Sequence, residues 1–146
     1  MCYNVSIPHK EKLNMGAFRN IDEAREHFKK DKFATLNGMA LDELTDEYSL
    51  CHVDIDERHQ NAYGGVMGGA IFTLADYAFA ALCNNDHQLT VALNVNISFL
   101  SAPKGKTLYA RCERVKSGRT TGVYNVLVTD DTGRQVALFV GTGYKL

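Results

Sequence analysis

Hydrophobic residues recur along the chain with three different periods, and each period predicts a different element. From Asn20 to about Lys32 the run reads as a short amphipathic helix. Asn20 is its N-cap, acids fill the first turn, lysines fill the last, and Ile21, Ala24 and Phe28 share one face. Phe33 to Leu44 reads as a connector or a second short turn. From Tyr48 to Asp56 the period drops to two, with Cys51, Val53 and Ile55 on one side and His52, Asp54 and Asp56 on the other, which predicts a strand with one buried face. A polar, Gly-rich loop follows from Glu57 to Gly65. Val66 to Cys83, or to about Asn84, is then almost wholly apolar and predicts a long buried helix. Thr90 to Leu100 alternates Val91, Leu93, Val95, Ile97 and Phe99 against Ala92, Asn94, Asn96 and Ser98. Further strands are predicted over Lys106 to Val115, Arg119 to Thr129 and Arg134 to Leu146. Turn signals separate them at 102–105, 116–118 and 130–133.

One long apolar helix with about five or six strands, four of them in consecutive hairpins, indicates an α+β domain. An antiparallel sheet must cover its apolar face, and a helix apolar nearly all round must be enclosed. The expected solution is a strongly curved sheet wrapped around the helix. Residues 1–146 form one domain in this reading, with 1–32 as an N-terminal extension. The apolar run approaches the length of a membrane span, but Asp76 interrupts its second half and no basic cluster flanks it, so the buried-helix reading is preferred.

Composition narrows the function. With 146 residues, 45% hydrophobic and 23% charged, the chain is long enough to bury a core without staples. A net charge of −1 without a basic stripe argues against nucleic acid as a partner. Cys2, Cys51, Cys83 and Cys112 form no CxxC pair, and the five histidines are scattered, so neither a disulfide framework nor a metal site is expected. The first residues lack the apolar stretch of a secretory signal, and a cytoplasmic location with no membrane attachment is expected.

Two features carry candidate chemistry. Asp76 is the single Asp, Glu, Lys or Arg between Arg58 and Asp86. A carboxylate in so apolar a helix is costly unless it is paired or used. The residues alone leave both readings open, since a surface-facing or backbone-bonded Asp would look the same. The second feature is the loop from His59 to Gly69, whose four glycines allow close backbone approach and lead into a helix N-terminus. The free amides and positive dipole end there suit a developing oxyanion. Gly68 and Asp76 lie eight residues apart, or about 12 Å along a helix. Both groups must come within roughly 3 Å of one reacting centre. Two antiparallel copies of the helix satisfy that requirement, and one copy hardly can. An enzyme built on these groups should be at least a dimer.

Taken in order, His59-x-Asn61-x-x-Gly64-x-Val66-x-Gly68-Gly69-x-x-Phe72-Thr73-Leu74-Ala75-Asp76 resembles the signature of hotdog-fold acyl-CoA thioesterases. The resemblance is to the phenylacetate-pathway, PaaI-like branch, related to 4-hydroxybenzoyl-CoA thioesterases. It continues through 94–100, 102–105, Gly118-Arg119 and Gly141-Thr142, and covers roughly Phe33 to Leu146. It implies a hotdog fold, a coenzyme A thioester as substrate with no cofactor, and a homodimer that pairs into a homotetramer. It also implies roles: Asn61 orients the thioester or the attacking water, the Gly68 N–H polarises the carbonyl, and Asp76 of the partner subunit acts as general base or nucleophile. His59, Met67, Gly69, Ala92, Lys104 and Arg119 fall at substrate-binding positions, with His59 read as fixing the loop.

The pattern also departs from the family. Met67 stands where many relatives have His, and Ala92 where they have Ser or Thr, so two hydrogen-bonding groups are missing. The usual Arg before the proline turn is replaced around Ser101-Ala102, leaving Lys104, Lys106 or Arg119 as candidates for phosphate binding. These losses motivate a second reading, a non-catalytic hotdog protein that binds an acyl-CoA or acyl chain. A hydratase needs a His–acid pair that Met67 removes, and ranks last. Tyr63, Phe72, Tyr77 and Phe79 read first as core and second as pocket lining. Thr73 and Cys83 read as helix packing.

Overall fold

A computed structural model of the chain describes residues 16–146. Cys2, His9 and the first half of the expected N-terminal extension lie outside the described residues. Helix α1 (Ile21–Phe28) starts where Asn20 accepts a hydrogen bond from the Glu23 amide at 2.9 Å, with Asp22 and Glu23 in the first turn. It buries Ala24 and Phe28. The connector expected over 33–44 contains two elements, a short helix α2 (Lys32–Leu36) and a strand β1 (Ala40–Leu44). The strand escaped the period-two pattern because five residues with only Leu41 and Leu44 buried make too short a repeat.

The remaining elements are β2 (Tyr48–Asp54), a 3₁₀ turn (Glu57–His59), the long helix α3 (Gly68–Asp86), β3 (Thr90–Phe99), β4 (Thr107–Ser117), β5 (Thr121–Asp130) and β6 (Gln135–Lys145). The six strands form one antiparallel sheet in the order β1-β2-β4-β5-β6-β3. Register shifts in four of the five strand pairs mark the bulges that bend it. The concave face encloses α3. Leu74, Ala75, Ala78, Ala81 and Leu82 are fully buried against Cys51, Val53, Leu108, Ala110, Val126 and Phe139, and Phe79 packs between Tyr124 and Phe139 at 5.5 and 5.8 Å. This is the hotdog arrangement expected from the sequence.

Two expectations fail in detail. Strands β3 and β4 form no hairpin at 102–105, because β3 crosses to the far edge to pair with β6 while β4 lies between β2 and β5. The alternation over 90–100 placed five apolar residues on one face, but the shift between Ala92 and Asn94 reverses the phase. Val95, Ile97 and Phe99 then pair with Gly141, Phe139 and Ala137 on the helix side, while Val91 pairs with exposed Tyr144 on the outside. Leu93 is the bulged residue and is exposed. Strand β3 is also a sheet edge, so its outer backbone groups have no strand beside them among the described residues.

Asp130 joins two turns at one end of the sheet. Its buried carboxylate accepts from the amides of Lys104 (2.8 Å) and Gly105 (3.0 Å) on one side, and from those of Thr132 and Arg134 (both 3.0 Å) on the other. With the Thr132 hydroxyl as the largest cause, these donors hold the carboxyl well below the usual carboxylate range.

Candidate active site

The loop before α3 is built around two side chains. His59 is only 2% exposed. Its Nδ1 accepts from the Asp56 amide at 3.0 Å, so Nε2 carries the hydrogen and donates to the Asn37 carbonyl at 2.6 Å. Both ring nitrogens are committed, which leaves His59 no free lone pair with which to act as a base. Asn61 Oδ1 accepts from the amides of Tyr63 (2.9 Å) and Gly65 (3.1 Å), folding the loop back on itself. Gly64 adopts φ +81°, the one left-handed residue in this turn. The loop leaves Tyr63 almost completely exposed.

Helix α3 starts without a side-chain cap, because Met67 at the N-cap position has none to offer. The first intrahelical donors are the amides of Ala70 and Ile71, both to the Met67 carbonyl, so the Gly68 and Gly69 amides lie at the positive end of the dipole with no helical acceptor of their own. The Phe99 ring lies over Gly68. A Cβ added there would stand 3.1 Å from the ring edge, so a side chain at this position would require the half-exposed ring to give way.

Farther along α3, Gly69, Thr73, Asp76 and Ala80 form a stripe at spacings of four, three and four residues, on the side of the helix away from the sheet. Two cavities lie along it. The one nearer the N-terminus, about 360 Å³, has apolar walls from Met39, Met67 and Phe72. The other, about 290 Å³, is lined by Asp31, Lys32, Phe33, Asp76 and Tyr77. The Asp76 carboxyl is half-buried, and no donor or cation among the described residues bonds to it. Burial pushes its pKa up, and the negative charge of Asp31 adds to the rise. Asp31, itself raised by burial, does not use its side chain to cap α2.

The expected substrate-binding positions separate into two groups. Met67 and Gly69 line the apolar cavity, and His59 borders it with its ring. Lys104 is exposed in the turn that Asp130 holds, at the same end of the sheet as Phe99 and Gly68. Ala92 lies toward the opposite end of α3, two residues beyond Thr90, which is bonded to Asn84. Arg119 is exposed in the β4–β5 turn, also at that far end. Lys104 and Arg119 flank β4, whose 11 residues span about 36 Å, so one chain cannot bring both to one ligand. Thr73, expected to be helix packing, lines both cavities instead. Of the four aromatics, Phe72 and Tyr77 line cavities, Phe79 is core and Tyr63 is exposed. Asp31 and Phe33 were not singled out from the sequence, because only tertiary folding brings α2 against α3.

The thioesterase superfamily model matches residues 63–137, just over half of the chain. The chain belongs to the thioesterase superfamily. It stands in the PaaI-like branch and is a thioester hydrolase. It is 32% identical to a candidate esterase of Archaeoglobus fulgidus, over 82% of this chain and 78% of that one. It is similar to the acyl-coenzyme A thioesterase PaaI of Escherichia coli at 28% identity, over 84% and 89% of the two chains. The solved structure of the E. coli PaaI protein superposes with a TM-score of 0.79 at 27% identity, covering 84% of this chain and 90% of that one. A thioesterase protein of Streptococcus pneumoniae, solved with coenzyme A, gives 0.73 at 27% identity, covering 80% and 94%. The family, the hotdog fold and the thioester-hydrolase activity expected from the sequence are thereby borne out. Among the described residues no three His, Cys, Asp or Glu side chains converge to hold a metal ion, and no helix is long and apolar enough to cross a membrane.

Proposed function

We propose that the protein hydrolyses acyl-CoA thioesters at sites shared between two subunits. One observation carries this reading: the Asp76 carboxyl is unpaired, half-buried and on a cavity wall, eight and seven residues from the open amides of Gly68 and Gly69 on the same helix. A carboxylate kept without a partner in a fold that could have replaced it is the mark of a group held for chemistry. The raised pKa makes it a better proton acceptor than an ordinary Asp.

The unpaired edge of β3 supports the dimer. Two such edges, running antiparallel about a two-fold axis, continue the sheet and set two α3 helices side by side in opposite directions. Gly68 of one chain then faces Asp76 of the partner subunit. In this arrangement the thioester oxygen accepts from the Gly68 N–H. Asp76 either takes a proton from the water that attacks the carbonyl carbon, or attacks that carbon itself to give an acyl-aspartyl anhydride that water cleaves. In both routes the C–S bond breaks, the sulfur leaves as thiolate and takes a proton, and the oxyanion charge develops against the amide. Asn61, already bent over the loop, orients the reacting groups through its amide nitrogen. Exposed Tyr109, Leu138 and Tyr144 on the convex face support a further pairing of dimers.

The test is complementation. Asn61→Ala and Asp76→Ala homodimers are each expected to be nearly inactive on a panel of acyl-CoA substrates. A mixed dimer of the two keeps one complete site and regains turnover. Mixed dimers as inactive as the parents would defeat the shared site. A wild-type protein that binds acyl-CoA by calorimetry and turns over none of the panel would favour the non-catalytic reading.

A further inference from the structure

The two cavities along α3 are neighbours, and two residues line both: Thr73 from α3 and Phe33 from α2. From Gly69 to Ala80 the stripe advances 11 residue steps, or about 16 Å of helix. Thr73 lies near the boundary, with its hydroxyl turned back to the Gly69 carbonyl at 2.8 Å. Facing it, Phe33 separates an apolar chamber on the Gly69 side from a carboxylate-lined chamber on the Asp76 side.

The way Phe33 is held is unusual. Helix α2 has five residues, with Ala34 buried beneath it. Its ends are fixed by Asn37 donating to the Phe33 carbonyl at 2.7 Å and by Thr35 donating to the Asp31 carbonyl at 3.1 Å. The Phe33 side chain takes no part in the core and is 74% exposed. A large ring left in the open at a cavity rim, on a short helix pinned by other residues, serves the cavity rather than the fold.

We infer that Phe33 is the end wall of the acyl pocket and limits how long an apolar acyl group the enzyme accepts. This rests on the acyl-CoA reading above. A thioester whose carbonyl sits at the Gly68 amide has its acyl group beside Met67, Met39 and Phe72. Two of these three walls are methionines, which adapt to varied apolar shapes. The polar groups of that chamber are already occupied. Arg58 donates to Asp56 (2.7 Å) and to the Leu36 carbonyl (2.6 Å), and both His59 nitrogens are bonded. The chamber therefore suits an uncharged, apolar acyl group, straight-chain or aromatic. A longer chain must pass Phe33 and enter the space beside Asp76, the carboxylate that serves the partner's site. Phe33 keeps the acyl pocket of one site out of the reacting centre of the other.

The experiment compares wild type, Phe33→Ala and Phe33→Trp on a graded series of saturated and aryl acyl-CoA substrates, with dimer mass and unfolding temperature recorded for each. Wild type is expected to show a length beyond which kcat/KM falls. Phe33→Ala moves that limit to longer chains, raising kcat/KM for the first excluded substrate about 10-fold or more relative to the best wild-type substrate, and Phe33→Trp moves it to shorter ones. Unchanged length profiles in both variants overturn the inference, as does a Phe33→Ala protein that loses its dimer while keeping the wild-type profile. If wild type turns over nothing, the acyl-CoA hydrolase reading fails. The same series is then read by Kd, where the same shift supports the wall and its absence rejects it.

Discussion

The two ends of α3 obey opposite rules. At the C-terminal end, Asp86 sits where the helix dipole is unfavourable to it, and its oxygens are matched by Arg114 at 3.0 Å and the Tyr124 hydroxyl at 2.6 Å. Beside it Asn84 clamps β3, accepting from the Thr90 amide at 2.9 Å and donating to the Thr90 carbonyl at 3.2 Å. At the N-terminal end the cap has no side-chain donor or acceptor, two amides await an acceptor, and two turns later Asp76 has no partner. One helix thus carries two acidic residues with opposite histories. Paired side chains hold the closed end together, with the buried His87 Nδ1 at the C-cap the exception among the described residues, and deliberate deficit at the open end leaves groups for a substrate.

The largest effect should come from breaking that contrast at its two carboxylates. Asp76→Ala is expected to lower kcat by roughly 10²- to 10⁴-fold without lowering the unfolding temperature. The sign follows from the raised pKa. Folding disfavours the ionised form, so the stability that Asp76 contributes in acid is lost as pH rises through its folded-state pKa. Removing the carboxylate at neutral pH therefore relieves the fold. Burial raises the Asp86 carboxyl too, but Tyr124 and Arg114 offset part of that rise, so Asp86→Ala acts through the partners it leaves behind. It strands Arg114 and Tyr124 and is expected to cost about 3 kcal/mol, seen in denaturant melts, while the protein that remains folded keeps a near-wild-type kcat. Equal losses of stability in the two variants would erase the distinction between the ends.

How far the sequence reaches follows the same division. The enclosed helix and the β4–β5 and β5–β6 hairpins were legible because their signals are local periods and turn residues, and α1 was legible through Asn20 and the acids behind it. The β3–β4 hairpin expected at 102–105 is a crossover, because which edge a strand joins is decided by tertiary pairing and not by the turn. Asp76 stood out because it is isolated in an apolar run. Strand β1 was too short to show a period. The bulge at Leu93 was invisible because it depends on pairing with Thr142 and Gly143, not on the β3 sequence. The His59 bonds to Asn37 and the chambers around Phe33 and Thr73 arise from contacts between distant segments, for which no local signal exists. Periodicity misfiled Thr73 for the same reason: a position on a helix does not say which side faces a void.

A smaller effect sharpens the electrostatics of the open end. The charge of Asp31 opposes ionisation of Asp76 across their shared chamber, where Lys32 is the other charged group and His27 lies near Asp31. Asp31→Asn removes one negative charge, so the ionised form of Asp76 becomes easier to reach. The acid limb of the kcat–pH profile is expected to move to lower pH, with the plateau at higher pH unchanged. An acid limb that stays in place would remove Asp31 from the site.

The smallest effect concerns the two exposed cations at opposite ends of β4. Lys104 shares its end with Gly68, whereas Arg119 belongs to the closed end of its own chain. In an antiparallel dimer, however, the closed end of one subunit approaches the open end of its neighbour. Lys104 and Arg119 of the partner subunit can then flank the same coenzyme A phosphates, although no single chain unites them. Exposed ion pairs are worth about 0.2–1 kcal/mol, so Lys104→Ala and Arg119→Ala should each raise KM for an acyl-CoA only about 1.5- to 5-fold, with kcat unchanged. A pantetheine thioester, which lacks the nucleotide phosphates, should be indifferent to both. If Lys104→Ala alone raises KM, phosphate binding is confined to the open end of one chain. If both do, the two ends meet across the dimer, and the end that looks purely structural in one subunit completes the site of the other.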